Sequence, residues 1–315
     1  MIDRMGGPDM APHTPHRLER PGEAVALLDT VILRQAPRIG WPLLLPAVVV
    51  LLAVITALAA PLISPVSPTA GDLGGRLRPP AWQAGGSLQR VLGSDLLGRD
   101  VLSRLLWGAR ISLSIALAAT ILGAIVGSAV GLVAGYYRGL ADEVLTKLVD
   151  VQLAFPFVLF AISVIAVAGP GITVLVVVLA VGSWVGYARI VRGLALSLRE
   201  RDYVQAARAL GAGNARILTR HLLPEVISVI LILATFDVGR IIILESTLSF
   251  LGLGVQPPTA SWGSDLRDAA VYIRRAWWTA AFPGIAIMIV VLGVNLLGDA
   301  LRDMLDPRTV ASRAR

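Results

Sequence analysis

Cysteine is absent from this chain, which excludes a disulfide framework and any thiolate-held metal or cluster. Histidine is scarce: His13 and His16 have the spacing of two metal ligands, but their polar, proline-containing stretch offers no third, and His221 reads as a surface residue of a basic loop. Charged residues make up only 16% of the chain, too few for the solvated surface of a soluble domain. Catalytic signatures are missing too. No Gly-x4-Gly-Lys-Ser/Thr loop is present to cradle nucleotide phosphates, and Gly93–Gly98 is not followed by the Lys-Ser/Thr it would need. There is no His-Glu-x-x-His pair and no Gly-x-Ser-x-Gly elbow. A membrane enzyme would need a histidine or carboxylate cluster at one membrane face, and the histidines are placed wrongly for it. No stretch alternates in the manner of barrel strands. The sequence therefore assigns no catalytic, cofactor-binding or metal-binding residue to this chain.

Apolar residues fill the space these absences leave. They are 56% of the 315 residues, and the mean hydropathy is +0.74. Six runs approach the length needed to cross a ~30 Å hydrocarbon layer: residues 43–63, 113–134, 151–168, 172–188, 226–244 and 282–297. The first is expected to be retained rather than cleaved as a signal. Gly169-Pro170-Gly171 joins the third to the fourth as a tight hairpin. The fold class is an all-α integral membrane protein of about six transmembrane helices. Its segments are 1–40, a cytoplasmic N-terminal stretch; 41–63, the first span; 64–112, extracytoplasmic; 113–308, a five-helix core; and 309–315, a cytoplasmic tail.

Orientation follows from the basic residues. With both termini inside, 18 Lys and Arg fall in inner segments and 9 in outer ones, a positive-inside bias. That bias also accounts for the net charge of +7 without nucleic acid. The outer segment still holds Arg99, Arg104 and Arg110, interleaved with Val101, Leu102, Leu105, Leu106 and Trp107. This pattern predicts an interfacial helix along the outer surface, its arginines reaching headgroups or a partner. Trp41, Trp262, Trp277 and Trp278 fall near expected membrane boundaries.

Two places stand out within this frame. One is the stretch Asp202–Pro224, basic and helix-forming, between two apolar runs. Ala206 and Ala207 leave one helix face open to close approach by another protein. Gly211 and Gly213 let the chain turn from one short helix into a second, and Pro224 suits the start of the next. The other place is the fifth run, where Asp237 and Arg240 stand three apart and share a helix face. Asp237 lies about 16 Å up that helix, near mid-membrane, and Glu245 follows toward the outer end. An unpaired charge at that depth costs on the order of 3 kcal/mol, so the pair faces protein or water. It either lines a translocation path or locks the helix against a neighbour. Gly123, Gly127, Gly131 and Gly135 form small-x3-small spacings that suit close helix packing.

The loop resembles the cytoplasmic coupling loop of permease subunits of ATP-binding-cassette (ABC) importers, which reads Glu-Ala-Ala, three residues, Gly, and ends near Leu-Pro. Gln205 departs from it, standing where the family has Glu. Further blocks, among them Leu92–Asp95, Gly98–Arg104, Leu153–Pro156, Leu248–Gly254 and Leu301–Pro307, resemble the dipeptide and oligopeptide permease C family over roughly residues 40–308. The resemblance implies a type I importer permease in the plasma (inner) membrane, with a cytoplasmic coupling helix. Gln205, Ala206, Ala207, Gly211 and Pro224 would couple to ATPases, and Asp237, Arg240 and Glu245 are candidates for the path. The implied partners are a second homologous permease, two ATP-binding subunits holding ATP and Mg, an extracytoplasmic binding protein and membrane lipid. The solute would be a di- or oligopeptide, or in the same machine a nickel complex or glycan fragment. A self-contained channel or secondary transporter would instead show internal repeats and broken helices around an ion site, and no repeat is evident.

Overall fold

The computed structural model describes residues 41–305, which form helices and turns without a β-ladder among the described residues. Expectations for residues 1–40, His13 and His16 included, and for 309–315 lie outside the described residues. The helices are α1 (Trp41–Ile63), α2 (Val101–Tyr137), α3 (Gly139–Ala154), α4 (Phe157–Ala168), α5 (Ile172–Leu198), α6 (Asp202–Ala209), α7 (Asn214–Ile217), α8 (Leu223–Phe250), α9 (Trp262–Ala270) and α10 (Trp278–Leu305). A π-helical turn, Leu218–Leu222, carries α7 into α8.

Among the described residues, five helices are long and apolar enough to cross a membrane, and the bent pair α3–α4 makes up to six. The expected third span is not one helix, because α3 and α4 meet at 88°. The break falls at Phe155-Pro156: the proline ring disfavours helical backbone at the residue before it, and Phe155 is extended at φ −102° and ψ 133°. A second departure concerns residues 101–112. They are no separate interfacial helix but the opening turns of α2, a continuous 37-residue helix about 55 Å long. Asp100 caps it, accepting the Ser103 N–H at 2.7 Å.

The bundle core gathers Ile115 and Ala119 of α2, Leu175 and Leu179 of α5, Ile241 and Ile242 of α8 and Val290 and Val294 of α10. The most extensive pairing is α2 with α5, and the glycine ladder explains it. A β-carbon at Gly127 or Gly131 would run into the carbonyl oxygens of Trp184 and Ala188, and one at Gly135 would lie 2.6 Å from the Arg192 oxygen. Those neighbours are backbone and cannot swing aside. Gly127→Val is therefore expected to lower the detergent melting temperature and membrane abundance, with an overpacking penalty of about 1–3 kcal/mol. Wild-type melting by this variant would mean that close approach is not what the glycines serve.

Successive spans alternate in direction. Tyr136 at the end of α2 bonds Asn214 of α7, whereas Leu105 near its start accepts from Trp262 of α9. One end of the bundle thus carries α6–α7, together with residues 41 and 305, and the opposite end carries α9 and the segment 64–100. Two of the four tryptophans expected at membrane boundaries turn out to be packing residues. Trp262 and Trp278 are buried and donate their ring N–H groups to the Leu105 and Ser94 carbonyls.

Candidate coupling surface and mid-span site

Val204, Ile217 and Leu222, all fully buried, seat the α6–α7 loop on Leu132 and Tyr136 of α2 and on Val191, Ala195 and Leu198 of α5. Tyr136 is the polar pivot of this seat. Its hydroxyl lies 2.8 Å from the Asn214 side-chain oxygen and accepts from Arg208, whose guanidinium also stacks over the ring at 5.6 Å. Its backbone oxygen accepts from Arg199. The sequence reading missed Tyr136, although a tyrosine closing an apolar helix beside a basic loop was a usable signal.

The chain leaves α6 through a Schellman turn. The Ala212 N–H donates to Ala207 O and the Gly211 N–H to Arg208 O, each at 3.0 Å, with Gly211 at φ +82°. Gly213 needs no such freedom, at φ −67°. Gln205 and Ala206 are exposed and Ala207 is half-buried; the Gln205 amide donates to Arg199 O at 3.0 Å. Around them Tyr203 is exposed and Leu210 is 89% exposed. Pro224 is second in α8, but the helical backbone runs on from Asn214 to Phe250. The π-turn just before it, with Leu223 N–H bonded to Leu218 O, takes up the register change beside a residue that cannot donate.

In α8, Arg240 donates to one Asp237 oxygen through Nε at 2.8 Å and Nη2 at 2.7 Å. Tyr187 of α5 reaches the other oxygen at 3.3 Å. Sequence reasoning missed Tyr187, whose signal was a phenol inside an apolar run, where it needs a partner. The Asp237 side chain is 10% exposed and that of Arg240 46%. Glu245 does not share this open face. It is fully buried, accepting from Ser249 at 2.8 Å and Ser246 at 3.4 Å, because helix rotation over five residues turns it toward α2 and the loop before α9.

At the α9 end, the arginines expected to reach headgroups point inward. Arg99 pairs with Asp95 and with Asp268 at 3.0 Å, and Arg104 holds Asp265 through Nε at 2.8 Å. Only Arg110 is exposed, over the Trp107 ring. The aspartates come from up to 169 positions away, a separation no sequence pattern pairs. Burial pushes the Asp265 carboxyl up to about 6 while Arg104 pulls it down. These groups border a cleft of about 470 Å³. Among the described residues, no three His, Asp or Glu side chains converge as a metal site.

A bundle of apolar spans with a short helical loop seated across its end and a polar pair within one span describes a multi-pass helical membrane protein. Residues 127–311 match the family described as binding-protein-dependent transport system inner membrane component, and the chain belongs to that family of ABC transporter permeases. It is 42% identical over 258 residues to the di/tripeptide transport system permease protein DppC of Pseudomonas aeruginosa, covering 82% of this chain and 85% of that one. It is 38% identical to the nickel transport system permease protein NikC of Escherichia coli K12, over 87% of this chain and 97% of that one. With the glutathione transport system permease protein GsiD of Escherichia coli it shares 45% identity over 71% and 74% of the two chains.

Proposed function

We propose that this chain is the translocation subunit of a peptide importer whose ATP hydrolysis takes place on two separate subunits docked against α6. The observation that carries this reading is the contrast along α6 and its C-cap: Val204 is fully buried in its seat while Tyr203, Gln205, Ala206 and the capping Leu210 stand exposed. A short helix anchored so firmly and left so bare suits transmission of a push from another chain. The proposed orientation puts both termini and α6 on the cytoplasmic side, where ATP is, and an extracytoplasmic binding protein delivers solute at the α9 end. A second, homologous permease completes the path. Peptide is preferred on the 42% identity to the di/tripeptide permease. The nickel permease, aligned over nearly its whole length, keeps a nickel complex as the second reading. Reconstituted uptake of a dipeptide against nickel separates them.

The chain carries no phosphate loop, so the purified single subunit is expected to gain no thermal stability from ATP and to hydrolyse none. Turnover above background would overturn the division of labour. The exchange of Asp237→Arg with Arg240→Asp addresses the mid-span pair. If the two residues only lock α8, the swap restores both detergent stability and transport. If they line the path, stability returns and transport does not, since the charges now sit at the wrong depths. Tyr187 sharpens the contrast, because its hydroxyl would meet a cation in the swapped protein.

A further inference from the structure

Arg240 presents a problem that its partner does not solve. Asp237 is nearly closed off, with one oxygen taken by two Arg240 donors and the other by Tyr187. Arg240 remains almost half exposed, and two of its five N–H donors are spent on Asp237. A guanidinium left in this state within a 28-residue apolar helix is costly to hold against hydrocarbon, which favours a face lined by water or protein. Ile243, Thr247 and Phe250, three, seven and ten residues on, continue the same exposed face.

We propose that Arg240 is a transient docking point for a carboxylate on the passing solute. The inference rests on the reading that this face of α8 lines the path. The planar guanidinium matches a carboxylate through parallel N–H bonds in a way a lysine ammonium does not. Asp237 holds the fork in one orientation and cancels much of its charge. The site therefore attracts an anionic group without trapping it, as passage requires. Tyr187 ties the same aspartate to α5, so a shift of α8 against α5 would alter how much of the guanidinium Asp237 claims. The affinity of the station is thereby linked to helix position.

The test uses the assembled complex with its partner chains in nanodiscs, and it exploits the absence of cysteine in this chain. Ile243→Cys is placed one turn from Arg240, and its reaction with a small hydrophilic maleimide is followed on this chain. The probes are an N-acetylated dipeptide and the same dipeptide as its C-terminal amide. The expected result is that the maleimide reacts and that the acid slows it by about threefold or more, in keeping with a charge-assisted hydrogen bond, while the amide does not. Adding Arg240→Gln should abolish the protection. Reaction with equal or no protection by the two probes would overturn the carboxylate station and leave the path reading intact. No reaction at all would mean that this face is covered by lipid or a packed subunit, and both readings would fall.

Discussion

Ala207→Asp is expected to abolish uptake while leaving the chain inserted at wild-type abundance. The position is half-buried on the exposed helix α6, so the charge stays hydrated in the free subunit and meets its penalty only when another surface closes over it. Gly211→Val should act on the same step by a different cause. No atom lies within 4 Å of a β-carbon there, so nothing is struck; the strain comes from φ +82°, roughly 1–2 kcal/mol for a residue with a β-carbon and more for a branched one. The Schellman turn would re-aim while Val204 and Ile217 keep the bundle closed. Gly211→Asn, which tolerates that conformation, should retain most of the transport. Gln205→Glu should be tolerated as well, because its bond to Arg199 O is exposed. Uptake and membrane abundance measured together decide the matter, and normal transport by both Ala207→Asp and Gly211→Val would remove α6 from the coupling step.

The largest expected loss of stability comes from Arg104→Met. It strands Asp265, whose side chain is 9% exposed, and removing one partner of a buried pair costs about 3–5 kcal/mol. The loss should depend on pH with a definite sign. Burial already holds the Asp265 carboxyl up at about 6, above its ordinary 3.8, and without Arg104 it rises further. A folded state that binds the proton more tightly than the unfolded state is most stable below the unfolded value and loses stability as pH rises through the folded one. The variant should therefore melt closest to wild type near pH 4 and fall progressively behind it toward pH 8. Adding Asp265→Leu should recover much of the loss and flatten the pH dependence. A pH-independent deficit in the single variant would instead point to lost packing of the arginine stem.

Long apolar runs and local turn chemistry made most of the fold legible from residues alone. Span position follows from hydropathy summed over some twenty residues, and the α6 exit follows from one glycine. The break at Pro156 was also written in the chain, yet it was hidden by the length of the run around it, since hydropathy does not register a bend. The charged end was misread for a different reason. Arg104 looked exposed because its counter-charge Asp265 lies some 160 residues on; Arg99 has Asp95 four residues before it, but its second partner, Asp268, becomes a neighbour only after α9 folds back on α2. At mid-span, Asp237 and Arg240 were found because their spacing is helical. Tyr187 was not, because its link to Asp237 crosses between helices.

The π-turn before Pro224 leaves no joint between the loop and the span that follows it. From Asn214 to Phe250 the backbone is one 37-residue helix, about 55 Å of rod, with its first turns in the α6–α7 seat and its last beneath α9. Such a rod is a lever. Tilted by five degrees about its middle, it carries each end roughly 2.4 Å in opposite directions. If the rod moves as one body about that pivot, a small displacement imposed at α7 would arrive at the far mouth of the bundle reversed in sense.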